Sequence, residues 1–247
     1  MDNTSMGRYW SADAAHYANI VRDELASFRR EVWMERFAEK ITAPSRILDF
    51  GCGPGFFSIV LSAMGHTVTG IDISTRMIAE AERNVACERL PVMPTFQHSE
   101  KGLAAFADAS FDVIVSRNVT WTLSDPLGFY NEALRVLAPG GQLIIYDANW
   151  NLPAFDQELA ARCKEREAQC IARYGSTFDP KEVDAEPIDV TVLPLSHMKR
   201  PEWDRAALTS VGFTAVETDE DIIDTLWDEK EKLVYGETPL FEIVALK

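Results

Sequence analysis

Apolar positions along this chain change their period several times, and each change marks an element. Over residues 11–41, Tyr17, Val21, Leu25, Phe28 and Val32 recur at steps of three and four among charged neighbours, which predicts a helix. Arg46-Ile47-Leu48-Asp49-Phe50 is short, apolar and ends in glycines, the pattern of a strand covered on both faces. Phe56 to Met64 predicts a helix apolar nearly all round, pressed against a sheet. His66 to Asp72 predicts a second strand, after which Ser74 caps a helix carrying Met77, Ile78, Ala81 and Val85. Further strands are expected at 92–96, 111–116 and 142–148, with a helix from Pro126 closed by Pro139-Gly140-Gly141. Strands alternating with helices at this spacing predict a doubly wound, mostly parallel sheet with helices on both faces.

After Trp150 the rhythm breaks. Phe155, Leu159, Cys163, Cys170 and Tyr174 predict one side of a long helix, and 175–201, with Pro180, Pro187, Pro194 and Pro201, reads as loop. Trp203, Ala207, Leu208 and Val211 mark a helix, and strands at 213–217 and 240–246 bring the sheet to seven. The expected organisation is one α/β domain. Residues 1–41 form an N-terminal cap helix, 45–150 the core, 150–200 a cap insertion, and 201–247 the last helix and strands.

Composition narrows the partners. The chain of 247 residues has 24 Lys+Arg against 39 Asp+Glu, a formal net charge of −15. That field repels phosphate backbones and anionic bilayers, so neither nucleic acid nor membrane is expected. A small-molecule partner is expected, with the chain a monomer or homodimer. The four cysteines, Cys52, Cys87, Cys163 and Cys170, lack the short paired spacing of a metal site and are expected as buried small hydrophobes, with no metal. Residues 1–10 lack the basic-then-apolar order of a signal peptide, and no apolar stretch is long enough to span a bilayer, so a soluble cytoplasmic protein is expected.

The chemistry starts at Asp49-Phe50-Gly51-Cys52-Gly53-Pro54-Gly55, between the first strand and helix. Three glycines in five residues let the backbone bend sharply and approach a ligand closely. A dinucleotide site needs G-x-G-x-x-G and an acid about 20 residues on. Here the slot for the third glycine holds Phe56, whose bulk opposes the close helix–strand packing that glycine permits. Asp49, directly before the glycines, suits a cationic amino group better than a pyrophosphate. Asp72, ending the second strand, suits paired ribose hydroxyls under either reading.

Four segments in register carry a resemblance. Ile47 to Gly55 resembles motif I of the class I S-adenosylmethionine-dependent methyltransferases, and Val68 to Ser74 with Met77 resembles their ribose-binding segment. Phe111 to Ser116 resembles their fourth strand, and Arg135 to Gly141 the turn before the fifth. The resemblance covers residues 45–150 and implies a Rossmann-like fold, with S-adenosylmethionine as methyl donor and S-adenosylhomocysteine as product. It implies cofactor contacts from Asp49, Gly51, Gly53, Asp72, Ile73 and Met77. It places adenine at Ser99-Glu100-Lys101, where Glu100 stands in place of the family's usual Asp.

The end of the fourth strand, Ser116-Arg117-Asn118-Val119-Thr120-Trp121, is expected to face the sulfonium and methionine end. Trp121 offers a ring face to a sulfonium, or simply packs under the cap. Arg117 suits the methionine carboxylate, or a salt bridge with a helix. Tyr17 fits the methionine end and fits its own helix's apolar stripe equally. His16, Asn118 and Trp150 are the expected acceptor pocket. Asn149, and His197 as the one histidine of the cap, are the catalytic candidates, although a lone loop histidine is more often a surface residue. The expected reaction is methyl transfer to a small molecule by in-line displacement, the acceptor atom left open. Two alternatives remain: a non-catalytic cofactor-binding protein with the acidic 217–231 stretch as partner surface, and a nicotinamide-dependent oxidoreductase.

Overall fold

The computed structural model describes residues 3–42, 44–177 and 186–247. Two helices, α1 (Asn3–Leu25) and α2 (Arg29–Ala38), precede β1 (Arg46–Phe50) and α3 (Phe56–Ala63). There follow β2 (Thr67–Asp72), α4 (Thr75–Ala86), β3 (Thr95–His98), β4 (Phe111–Arg117), α5 (Pro126–Val136) and β5 (Leu137–Asp147). The chain continues through α6 (Gln157–Tyr174), α7 (Glu202–Val211), β6 (Ala215–Asp219), α8 (Ile223–Leu226), α9 (Glu229–Tyr235) and β7 (Phe241–Leu246). Pro180 of the expected loop lies outside the described residues.

The strands form one seven-stranded sheet in the order β3-β2-β1-β4-β5-β7-β6, with β1 to β5 parallel. β7 runs antiparallel to both β5 and β6. Successive residues of a strand face opposite sides, and both sides are apolar. Leu48, Ile114, Leu143, Ile145 and Ile243 pack beneath α5 and α7, while Ile47, Val113, Val115, Ile144 and Tyr146 pack against α2 and α3. This is the expected doubly wound α/β fold. The chain leaves β1 toward β2 on one side and returns to β4 on the other, which opens a crevice at the carboxyl ends of β1 and β4.

Several boundaries differ from expectation, each for a local reason. The single helix at 11–41 is two. Ser27 Oγ donates to the Glu24 carbonyl at 2.8 Å and accepts from the Arg29 N–H at 3.2 Å, offering the backbone partners that compete with the helix. α1 also begins eight residues earlier than expected. The third strand falls at 95–98 instead of 92–96, because Pro91 and Pro94 cannot donate to a ladder. β5 already pairs at Leu137 with Phe111, and an irregularity between Phe111 and Val113 absorbs Pro139-Gly140-Gly141 into the strand. Phe155 precedes α6 and is exposed, as is Tyr174 at its end, so only Leu159 and Cys170 of α6 are buried. Cys52 and Cys170 are buried, but Cys87 is exposed and Cys163 partly so. Among the described residues no helix is long and apolar enough to cross a membrane, and no cluster of candidate metal ligands occurs.

Candidate cofactor and active site

A cavity of about 380 Å³ occupies the crevice. Its floor is the glycine turn. The N–H groups of Gly51 and Cys52 both donate to the Ile71 carbonyl, at 2.8 and 2.9 Å, stitching the turn to the end of β2. Gly51, Gly53 and Gly55 all have positive φ, at 70°, 50° and 91°. A Cβ on Gly51 would lie 2.4 Å from Val119 Cγ2, so the loop after β4 closes directly on the turn. At Gly53 the backbone is open instead, with Tyr17 Cε1 the nearest neighbour at 4.0 Å, which leaves room for a ligand.

Asp72 is locked in place by backbone donors. The Gly53 N–H donates to Oδ2 at 3.0 Å and the Ser74 N–H to Oδ1 at 2.8 Å, so each oxygen keeps a lone pair for the cavity. Burial pushes its carboxyl up to about 6 despite those donors. Asp49 is fully buried, and burial lifts it also to about 6, against the pull of the Ser58 hydroxyl at 2.6 Å and the Arg117 charge. Burial likewise holds the Cys52 thiol well above its usual range, which makes it inert. Arg117 lies against the rings of Phe56 and Phe57, 4.6 and 5.1 Å from their centroids. Burial opposes its charge, but Glu24 on α1 outweighs that and holds the guanidinium protonated.

Of the residues singled out from the sequence, Tyr17, Asp49, Gly51, Gly53, Asp72, Ile73, Met77, Ser99, Glu100, Lys101, Arg117 and Asn118 line this cavity. Six others do not. Ser116 is buried and its hydroxyl donates to the Phe50 carbonyl at 3.1 Å. Trp121 stands outside the lining, edge-on to Trp10, with its indole N–H on the Asn118 carbonyl. His16 is also outside the lining, because Tyr17, not its neighbour, takes the inward side of α1.

The two catalytic candidates are correspondingly displaced. His197 is exposed and its ring lies 5.8 Å from that of Phe155, tilted by 60°. Asn149 clamps the backbone of Arg200, its Nδ2 donating to the carbonyl at 2.8 Å and its Oδ1 accepting from the N–H at 3.1 Å. Trp150 packs with Trp227 and Tyr235 against the α2–α3 side of the core, away from the cavity. No described residue of 150–200 lines it.

What fills the ends of β4 and β5 is a buried ionic network. Arg200, 2 % exposed, donates from Nε to Asp204 Oδ2 at 2.8 Å, from Nη1 to Asp147 Oδ2 at 3.0 Å and from Nη2 to Thr120 Oγ1 at 2.7 Å. Tyr130 donates to Asp204, and Thr120 and the Trp121 N–H donate to Asp147. Sequence reasoning missed this network, and it missed Met6, Trp10 and Val21, which bring α1 over the cavity. An earlier helix start would have revealed Met6 and Trp10, which lie on the Tyr17–Val21 stripe at helical spacing. Arg200 gives no local signal.

A family model described as a methyltransferase domain matches residues 48–145. The ubiquinone biosynthesis O-methyltransferase of Xanthomonas oryzae pv. oryzae is 30% identical over 214 residues, covering 82% of this chain and 84% of that protein. That of Psychrobacter arcticus is 28% identical over 161 residues, and the match spans 63% of this chain but only 62% of that relative. An S-adenosylmethionine-dependent methyltransferase structure from Methanosarcina mazei has TM-score 0.57 at 24% identity, covering 85% of this chain and 96% of that one. A putative S-adenosylmethionine-dependent methyltransferase from Methanococcus maripaludis has TM-score 0.61 at 19% identity, covering 96% and 94%. These structural likenesses establish the fold.

Proposed function

The chain belongs to the S-adenosylmethionine-dependent methyltransferases, and we propose that it transfers a methyl group from that cofactor to a small-molecule acceptor. The observation that carries this reading is the set of charges lining the cavity. Asp72 is held by the Gly53 and Ser74 N–H groups, and Asp49 and the opposing charge of Arg117 line the same cavity. That set suits ribose hydroxyls, an ammonium and a carboxylate. When bound, S-adenosylmethionine supplies a methyl group made electrophilic by its sulfonium.

The protein's part is to position the reactants and exclude water. Tyr17 and Val21 on α1 and Phe56 and Phe57 on α3 give the same cavity apolar walls, the two phenylalanine rings directly against Arg117. Ser99, Glu100, Lys101 and Leu103 in the lining are assigned to adenine, and Asn118 and Tyr17, also in the lining, are assigned to the acceptor side. His197 and Asn149 take no step in this scheme, and no base is required unless the acceptor must lose a proton before attack. The relatives are named for O-methylation, so hydroxyl-bearing acceptors head the panel to be tested. The dinucleotide alternative is not retained, since Phe56 is buried in the core where the third glycine would be. Residues 3–25 act as a cap in this reading, and the site belongs to a monomeric or homodimeric cytoplasmic protein that binds neither nucleic acid nor membrane.

Calorimetric titration tests the reading. S-adenosylhomocysteine should bind and NAD should not. Asp72→Ala should weaken the former at least tenfold, since a hydrogen bond to a charged group contributes about 1.5–3 kcal/mol. NAD binding without response to S-adenosylhomocysteine would overturn it.

A further inference from the structure

α1 is fastened to the sheet by contacts of two kinds. Along its outer side, Ser11 Oγ meets Ser74 Oγ at 2.8 Å and Arg22 Nη1 donates to Asn84 at 3.3 Å, both against α4 or its cap. At its carboxyl end, Glu24 accepts from both terminal nitrogens of Arg117, Nη1 to Oε1 at 2.9 Å and Nη2 to Oε2 at 2.7 Å. These side chains are only 18% and 13% exposed. Arg117 lines the cavity, and its Nε makes no hydrogen bond among the described residues. A two-point carboxylate contact fixes the plane of a guanidinium as well as its position. The Phe56 and Phe57 rings against it restrict the same motion.

We propose that Glu24 is a positioning residue of the cofactor site. By holding Arg117 at two points, it presents the remaining N–H donors to the α-carboxylate of the cofactor's methionine moiety. This rests on the reading that the cavity takes S-adenosylmethionine. Glu24 belongs to α1 and Arg117 to β4. The amino-acid end of the ligand is therefore the part whose binding depends on the docked carboxyl end of α1. Without Glu24 the arginine stem regains its rotamers, and the carboxylate must order it on binding.

The test compares two ligands by calorimetry on the full chain. S-adenosylhomocysteine carries the amino-acid end, and 5′-methylthioadenosine lacks it. Glu24→Gln should weaken S-adenosylhomocysteine at least tenfold while 5′-methylthioadenosine stays within twofold. Glu24→Asp should recover part of the loss. Arg117→Lys, which keeps the charge but not the fork, should reproduce it and decides the matter should Glu24→Gln fail to fold. In the wild type, hydrogen exchange at the carboxyl end of α1, around Glu24, should slow with S-adenosylhomocysteine and not with 5′-methylthioadenosine. Tighter binding of S-adenosylhomocysteine by Glu24→Gln would make Glu24 a competitor and overturn the proposal. Equal weakening of both ligands would reduce Glu24 to a structural tie, and unchanged affinities would remove it from the site; both outcomes overturn it too. Those results leave the cofactor assignment standing, whereas a wild type that binds neither ligand overturns both.

Discussion

Replacing Arg200 by Met tests the ionic network at the ends of β4 and β5. The guanidinium makes four hydrogen bonds, three of them to Asp147 and Asp204, and all three side chains are at most 2 % exposed. Methionine matches much of the stem's volume, so the loss is electrostatic. Asp147 keeps the Thr120 hydroxyl and the N–H groups of Trp121 and Ala148, which leaves it well compensated. Among the described residues, Asp204 keeps only the Tyr130 hydroxyl. Stranding one buried charge costs about 3–5 kcal/mol. With a slope of about 3 kcal/mol per molar urea, that lowers the unfolding midpoint by ~1–1.7 M. Urea titration followed by tryptophan fluorescence measures it. Arg200→Met/Asp204→Leu should recover much of the loss, because removing both partners is far cheaper than removing one. A single variant within about 1 kcal/mol of wild type, or a double variant worse than the single one, would refute the reasoning.

Two further outcomes are expected. Asp49 and Asp72 sit near 6 in the folded chain and lower when unfolded, so the folded state binds more protons in between. Stability of the ligand-free protein should therefore rise as pH falls from about 6 toward 4, while affinity for S-adenosylhomocysteine falls. From pH 7.5 to 5 the affinity loss should be roughly tenfold if one carboxylate must ionise and roughly a hundredfold if both must; a pH-independent affinity by calorimetry would contradict the assignment. Trp150→Ala should cost about 3 kcal/mol through lost packing on Trp227 and Tyr235, with S-adenosylhomocysteine affinity unchanged; a loss of affinity without a loss of stability would return Trp150 to the site.

The glycine turn and the surroundings of Asp72 were legible because their determinants are local. Glycines that permit positive φ, an acid that ends a strand and a serine that caps a helix are each decided within a few residues, and they stand where the spacing put them. The surroundings of the end of β5 were not legible. Asp147, Asn149 and Trp150 have the right chemistry at the right edge of the sheet, but Arg200, some fifty residues later, takes the polar groups of the first two, and Trp227 and Tyr235 take the ring of the third. Nothing near Lys199-Arg200-Pro201 separates a buried arginine from a solvated one. The break between α1 and α2 fell between these cases. Its cause is a single hydroxyl, Ser27, in a run whose apolar period continues straight through it.

The strand order has a consequence for how the chain folds as it is made. β6 precedes β7 in sequence, yet among the described residues its only sheet neighbour is β7, and β7 also covers the flank of β5. During vectorial synthesis, β1 to β5 can assemble their parallel ladders as they appear, each strand adding to one already made. β6 then emerges with nowhere to dock and must wait, solvated, for residues 241–246. Until they arrive, the backbone groups of Leu143, Ile145 and Asp147 on that side stay unpaired, an open template for any other extended segment. Closure is a late event between distant parts of the sequence, so its rate should respond to the length of the 220–240 connection more than to the strength of the parallel core.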